Sequence, residues 1–193
     1  MDYYRDASGA RVRREACEVA PGLFVASKPA PGRYPDVDAI LLAALEYQPA
    51  GDLFPGAEVL HAPLDDAPHR PLREDEIVDA TRAGSRVARR LRAGRRVLVT
   101  CAMGLNRSAL VAGLAMHQAL GMGAEEILAR IRRARGPWAL SNPNFEKLLR
   151  VAIEARRGHL ASSPGGDRPV ARHDPCGPLL PPGRRRLDVA AER

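Results

Sequence analysis

Apolar residues along the chain gather in short blocks, separated by longer stretches in which they recur at helical spacing. Residues 17–27 hold two apolar runs either side of Pro21-Gly22, which reads as two short strands joined by a turn. Residues 38–44 (Asp-Ala-Ile-Leu-Leu-Ala-Ala) form a block read as a buried strand, with helix as the alternative that periodicity leaves open. A Pro/Gly loop at 49–56 leads to a strand at 58–62. From 74 to 92 the spacing is helical, acidic residues come first and arginines last, as the helix dipole favours, and Gly94 stops the run. Residues 96–100 (Arg-Val-Leu-Val-Thr) read as another buried strand, and helices are expected near 107–120, 123–134 and 143–157. Strands alternating with helices predict an α/β fold: a single layered domain over 16–157, with a central mixed sheet flanked by helices. Residues 1–15 form a polar N-terminal extension. Residues 158–193, dominated by Pro, Gly and Arg without a period, are expected to be a disordered tail, with 178–186 a Pro-rich stretch inside it.

Composition narrows the picture. With 193 residues and 45% hydrophobic content, the chain buries one sizeable core and has little left for a second. Three cysteines, an odd number, suit a reducing compartment better than a disulfide framework. The opening residues lack the apolar centre of a signal peptide, and the longest apolar stretch is interrupted by His117 and Gln118, so it reads as a core helix. A soluble, cytoplasmic protein is expected. The net charge of +7 is nearly all arginine, Lys28 and Lys147 being the only lysines, and it is spread along helices. Aromatic residues make up 4% of the chain, too few to interleave with that charge as stacking platforms, so a nucleic-acid partner is not favoured. A basic surface would instead attract anionic substrates.

One segment carries chemistry. In Cys101-Ala102-Met103-Gly104-Leu105-Asn106-Arg107-Ser108 a thiol and a guanidinium stand six positions apart, with a glycine between and a hydroxyl after. The segment lies between the strand at 96–100 and a helix start, where unpaired backbone N–H groups and the helix dipole favour an anion. A nucleophile opens that anion site and a fixed positive charge closes it, which suits attack on a phosphate ester. Cys17 and Cys176 have no comparable surroundings.

Residues 97–116 resemble the signature of the cysteine-dependent phosphatases, most closely the compact dual-specificity group. Val19-Ala20-Pro21-Gly22-Leu23-Phe24-Val25-Ala26-Ser27 is similar to that family's opening strand pair. Residues 58–68 resemble the strand and loop that carry its general acid, and 135–145 the turn and helix start that follow its active site. The resemblance spans 16–157. It implies a phosphomonoester hydrolase that needs no cofactor and no metal, with phosphorylated proteins or peptides as partners, and the apolar pattern adds the expectation of no membrane partner. Thr100 stands where the family usually has histidine, and Ser141 where it commonly has proline.

The residues admit a stepwise chemistry. Only a thiolate attacks phosphorus well, and the helix N-terminus, the loop amides and Arg107 all favour that form of Cys101. Arg107 can hold two phosphate oxygens with its planar fork. The amides of Ala102, Met103, Gly104, Leu105, Asn106 and Arg107 would cradle the oxygens, Gly104 permitting a backbone shape that a side chain would obstruct. Ser108 can donate to the sulfur as it leaves. The resemblance points to Asp66 as general acid and then base, with Asp65 in reserve, and to Asn142 as the loop-bracing asparagine, with Asn144 as alternate. Asn106 reads as a conformational or rim residue, and His61 and His69 as packing or rim residues. Met103 and Leu105 would give the pocket apolar walls. The loop lacks the lysines seen in relatives that act on inositol phospholipids, and a chain this short makes a shallow pocket open to phosphoserine and phosphothreonine, with phosphotyrosine the first expectation. The competing readings are a rhodanese-like sulfurtransferase and a non-catalytic phosphate-binding module.

Overall fold

In a computed structural model of the protein the described residues are 3–5, 11–13 and 16–161, with side chains described for 16–155. A short antiparallel hairpin comes first, β1 (Tyr3–Arg5) with β2 (Arg11–Arg13), pairing Tyr4 with Val12. Strands of three residues leave no alternation to detect, so the polar opening residues carry no strand signal in the sequence.

A five-stranded sheet forms the centre: β3 (Cys17–Ala20), β4 (Leu23–Ala26), β5 (Ala39–Ala44), β6 (Glu58–Leu64) and β7 (Val97–Thr100), in the order β3-β4-β7-β5-β6. β4, β7, β5 and β6 run parallel, while β3 joins β4 as an antiparallel edge through the Pro21-Gly22 turn. The block at 38–44 is therefore a strand. It is buried along its whole length, so it shows no alternation of polar and apolar residues. β6 runs two residues past the expected end and takes in Pro63, which is tolerated because β6 is the other edge.

Four α-helices occur among the described residues: α1 (Glu74–Arg92) between β6 and β7, then α2 (Arg107–Leu120), α3 (Ala124–Arg135) and α4 (Pro143–Ala161) after β7. Leu23, Val25, Leu41, Val97 and Val99 on one face of the sheet share a core with helix residues such as Val87, Leu110, Ile127 and Leu149. The alternate positions Ile40, Leu42 and Leu98 pack on the opposite face against Phe54, Tyr34 and Val37, so the connections on that side supply the cover. α2 is buried from Arg107 to Met116 and lies among α1, α3 and α4. Gly121, in the left-handed conformation (φ 70°), closes α2 by donating its N–H to His117 O.

α4 extends through Ala161, four residues beyond the expected boundary at 157, and the remainder of the expected tail (162–193), with Cys176 and the 178–186 stretch, lies outside the described residues. No helix among the described residues is long and apolar enough to cross a membrane.

Candidate active site

The four parallel strands end on the same side of the sheet, and chemistry-bearing residues follow each end. Lys28 comes after β4, Glu46 after β5, Asp66 after β6 and Cys101 after β7. Parallel α/β sheets present ligand sites at this edge, where strand ends meet helix N-termini.

The turn from Cys101 to Asn106 links β7 to α2. Cys101 is buried, and its Sγ accepts the Gly104 N–H at 3.2 Å and lies 3.2 Å from Ser108 Oγ. Gly104 has φ 69°, and a Cβ there would collide with the Arg135 guanidinium and come within 2.6 Å of Ala26 C. Glycine is thus required for both conformation and space. The loop is held from outside as well. Buried Arg135 donates from Nε to Gly104 O (2.9 Å) and from Nη2 to Met103 O (3.0 Å), while Leu140 N–H donates to Leu105 O (2.9 Å) and Lys28 N–H to Ala102 O (3.2 Å). Before the nucleophile, the Thr100 hydroxyl donates to Leu41 O at 3.3 Å, across to the neighbouring strand.

Arg107 is 8% exposed at its side chain and is gripped end-on by Glu46: Nη1 donates to Glu46 Oε2, and Nη2 to Oε1 at 2.7 Å. Its second Nη1 proton goes to Leu64 O at 3.3 Å. That arrangement leaves the Nε–H and the other Nη2–H, which lie side by side and form a second fork suited to two phosphate oxygens. The buried Nε has no hydrogen-bond partner among the described residues, and Asp66 Oδ2 lies 3.9 Å from it. Burial works against the guanidinium charge, but the Glu46 hydrogen bonds and the negative charges of Cys101, Glu46 and Asp66 outweigh it and raise the pKa of Arg107. In return, hydrogen bonding to Arg107 lowers the pKa of Glu46.

Asp65 and Asp66 point different ways. Asp65 is half exposed and pairs with Arg70 at 2.9 Å. Asp66 faces the phosphate loop, its Oδ1 accepting from Asn142 Nδ2 at 2.8 Å and its Oδ2 from Asn106 Nδ2 at 3.2 Å. The loop after Asp66 is tied down: Asn144 Nδ2 donates to the carbonyls of Ala67 (3.4 Å), Pro68 (3.3 Å) and Arg70 (2.7 Å), and Arg70 bonds Glu76 on α1. Glu76 also accepts the Arg73 backbone N–H at 2.8 Å, satisfying one orphan donor at the start of α1.

Of the residues singled out from the sequence, Cys101, Arg107, Ser108, Asp66 and Asn142 meet in this cluster, and Asn144 braces its edge. His61 lies on β6 bonded to Gln48, and His69 is exposed. Leu105 corrects an expectation: it is 7% exposed and packs into the helix-side core, so it is no pocket wall, whereas Met103 is 37% exposed and does line the groove. Glu46 and Arg135 were not anticipated. Both lie far from the loop in sequence, and neither carries a local signal that would have singled it out.

A groove of about 680 Å³ opens beside the loop, lined by Met103, Ala102, Lys28, Pro29, Tyr47 and Leu53 among others. Lys28 Nζ sits 4.1 Å from the Tyr47 ring centroid, and the Tyr47 hydroxyl donates to Pro29 O at 3.1 Å. No cluster of His, Cys, Asp and Glu able to hold a metal ion occurs among the described residues.

A cysteine at the end of a central parallel strand, followed by a tight anion loop and a buried helix that opens on arginine, is the architecture of a cysteine-based phosphatase domain. No protein-family model and no curated protein sequence matches the chain, but solved structures do. Human DUSP28 is 26% identical over 74% of this chain and 95% of its own, with a TM-score of 0.59. A mouse putative dual specificity phosphatase, complexed with zinc tungstate, is 22% identical over 77% of this chain and 92% of its own, at 0.64. Tk-PTP in the active form is 24% identical over 72% and 96%, at 0.57. The chain is a dual-specificity-phosphatase-like member of the protein-tyrosine phosphatase superfamily. These likenesses favour a phosphatase over a sulfurtransferase or a non-catalytic module.

Proposed function

We propose that the protein hydrolyses phosphate monoesters on proteins or peptides, phosphotyrosine foremost, through a phosphocysteine on Cys101. The observation that carries this reading is the meeting of three groups at the sheet edge: the Cys101 sulfur, the side-on fork of Arg107 and the Asp66 carboxyl 3.9 Å from that fork. The Cys101 thiolate attacks phosphorus while the bond to the leaving oxygen breaks, and Asp66 supplies that oxygen with a proton. Arg107 and the amides from Ala102 to Arg107 hold the three equatorial oxygens as charge spreads over them. Water then attacks phosphorus and Asp66 takes its proton. The P–S bond breaks, and the sulfur departs as a thiolate that the Ser108 hydroxyl stabilises by donation.

The surface pairing of Asp65 with Arg70 favours Asp66 as the acid. Asn142 and Asn144 together take the bracing role, one at the carboxyl and the other at the loop carbonyls. The catalytic domain spans 16 to about 160 by this reading. A thiolate nucleophile suits a reducing, cytoplasmic setting. The groove beside Met103 offers apolar surface to an aromatic ring, and Lys28 at its wall offers a positive charge to an acidic peptide.

Turnover of phosphotyrosine, phosphoserine and phosphothreonine peptides tests the proposal. The parent chain should release phosphate fastest from phosphotyrosine, vanadate should inhibit, and Cys101→Ser should abolish release. Full activity in Cys101→Ser would refute the mechanism, and preference for phosphoserine would refute the substrate order.

A further inference from the structure

Asn106 occupies the N-cap position of α2, where an asparagine ordinarily turns back to accept an N–H from its own helix. Here it makes no capping bond, and its backbone is helical (φ −104°, ψ −72°) rather than extended. Its side chain reaches sideways instead. Oδ1 accepts the Asn142 backbone N–H at 3.1 Å and the Ser141 hydroxyl at 3.3 Å, which fixes the amide orientation and turns Nδ2 toward Asp66 Oδ2 at 3.2 Å. Asn142 is oriented by the same logic. Its Oδ1 accepts the Asn144 N–H at 3.0 Å, so its Nδ2 faces Asp66 Oδ1 at 2.8 Å. Each carboxyl oxygen of Asp66 therefore holds one amide donor, and the two amides belong to segments bonded to one another.

We infer that Asn106 is a positioning residue for proton transfer: with Asn142 it clamps the Asp66 carboxyl between the phosphate loop and the turn before α4. The inference rests on Asp66 being the acid of the proposed reaction. The shorter bond makes Oδ1 the anchored oxygen. Oδ2, more loosely held and 3.9 Å from Arg107 Nε, is the oxygen that carries the proton toward the leaving group. A residue that forgoes its own helix cap to hold a carboxylate gives up stability for placement. The acid is in position before substrate arrives, because the clamp closes within the protein itself.

The test compares p-nitrophenyl phosphate, whose leaving group scarcely needs a proton, with phenyl phosphate, which does. Asn106→Ser removes the reach, whereas Asn106→Asp keeps the acceptor for Asn142 and Ser141 but turns a like charge on Asp66. Thermal melts establish that each variant is folded. General-acid assistance is worth about 10²–10⁴-fold, so both variants should lose at least about tenfold more kcat/KM, which reports formation of the phosphocysteine, on phenyl phosphate than on p-nitrophenyl phosphate. In an Asp66→Asn background, Asn106→Ser should add no such difference. Equal losses on both esters, or an undiminished difference in the Asp66→Asn background, would overturn the clamp while leaving the phosphatase reading intact. A parent chain that turns over neither ester would overturn that reading and the inference with it. Equal losses on both esters in Asp66→Asn alone would overturn the acid assignment and remove the clamp's function.

Discussion

Glu46 tests how the site works, because it touches the chemistry only through Arg107. Its carboxylate takes one hydrogen from each terminal nitrogen of that guanidinium, one bond measuring 2.7 Å. Hydrogen bonds to charged groups are worth about 1.5–3 kcal/mol each, so a fully buried pair would approach 3–6 kcal/mol. Arg107 is buried but the Glu46 side chain is 56% exposed. Water competes at that end, which discounts the pair to about 1–2 kcal/mol. Leu64 O continues to hold one Nη1 proton when Glu46 is gone, so the arginine stays near its place but loses its fixed plane. If the lost orientation is all expressed in the transition state, Glu46→Ala should lower kcat/KM for p-nitrophenyl phosphate by about 5–30-fold. Vanadate affinity should fall in parallel, because it reports the same fork. Glu46→Gln keeps one acceptor and should fall between. The Glu46 pKa is lowered, so the pair is intact above the ordinary carboxylate value of 4.5 and is lost only as pH falls through the lowered value. The ratio of parent to Glu46→Ala activity should therefore stay constant from pH 5 to 8. A variant within twofold of the parent, or one that gains activity because a negative charge beside the phosphate has gone, would refute the division of Arg107 into two forks.

Other variants probe the loop and its supports. Gly104→Ala places a methyl group against the Arg135 guanidinium and the Ala26 backbone at a positive φ, and should cost about 1–3 kcal/mol of stability with loss of vanadate binding; an unchanged melting temperature would contradict the crowding. Ser108→Ala should slow release of the phosphorylated cysteine more than its formation, giving a burst of p-nitrophenol before a slow steady rate; absence of a burst with equal slowing of both phases would assign the hydroxyl a different task. Glu76 is lowered from 4.5 to about 2 by the Arg70 hydrogen bonds, so its contribution to stability is complete above pH 4.5 and is lost as pH falls toward 2. The melting temperature of Glu76→Gln should accordingly depend less on pH than the parent's across that window, and parallel curves would contradict the pairing.

The elements legible from the chain were those with local signals. The bounds of α1 coincide with the expected 74–92 because its acidic start, basic end and the glycine at 94 are all encoded within a few residues of the termini. The loop from Cys101 to Ser108 was legible for the same reason, since glycine, arginine and hydroxyl sit at fixed offsets between a strand and a helix. Glu46 was not, because its partner lies 61 residues away and an acidic residue after a strand has no local mark. Arg135 ends a run of arginines that reads as a solvated helix face, yet it is 2% exposed, buried by three-dimensional need for a donor behind the loop. From the sequence Asn106 reads as a conformational or rim residue, because its bonds to Asp66 and Asn142 are long-range and leave no local mark.

The covalent step is the most direct point of attack. Rapid quenching of the protein during turnover of a phosphorus-labelled aryl phosphate should trap label on the peptide containing Cys101, stable to acid and absent from Cys101→Ser. Sustained turnover without any labelled Cys101 peptide would mean that phosphate passes straight to water, and the chemistry assigned to this sulfur would fall.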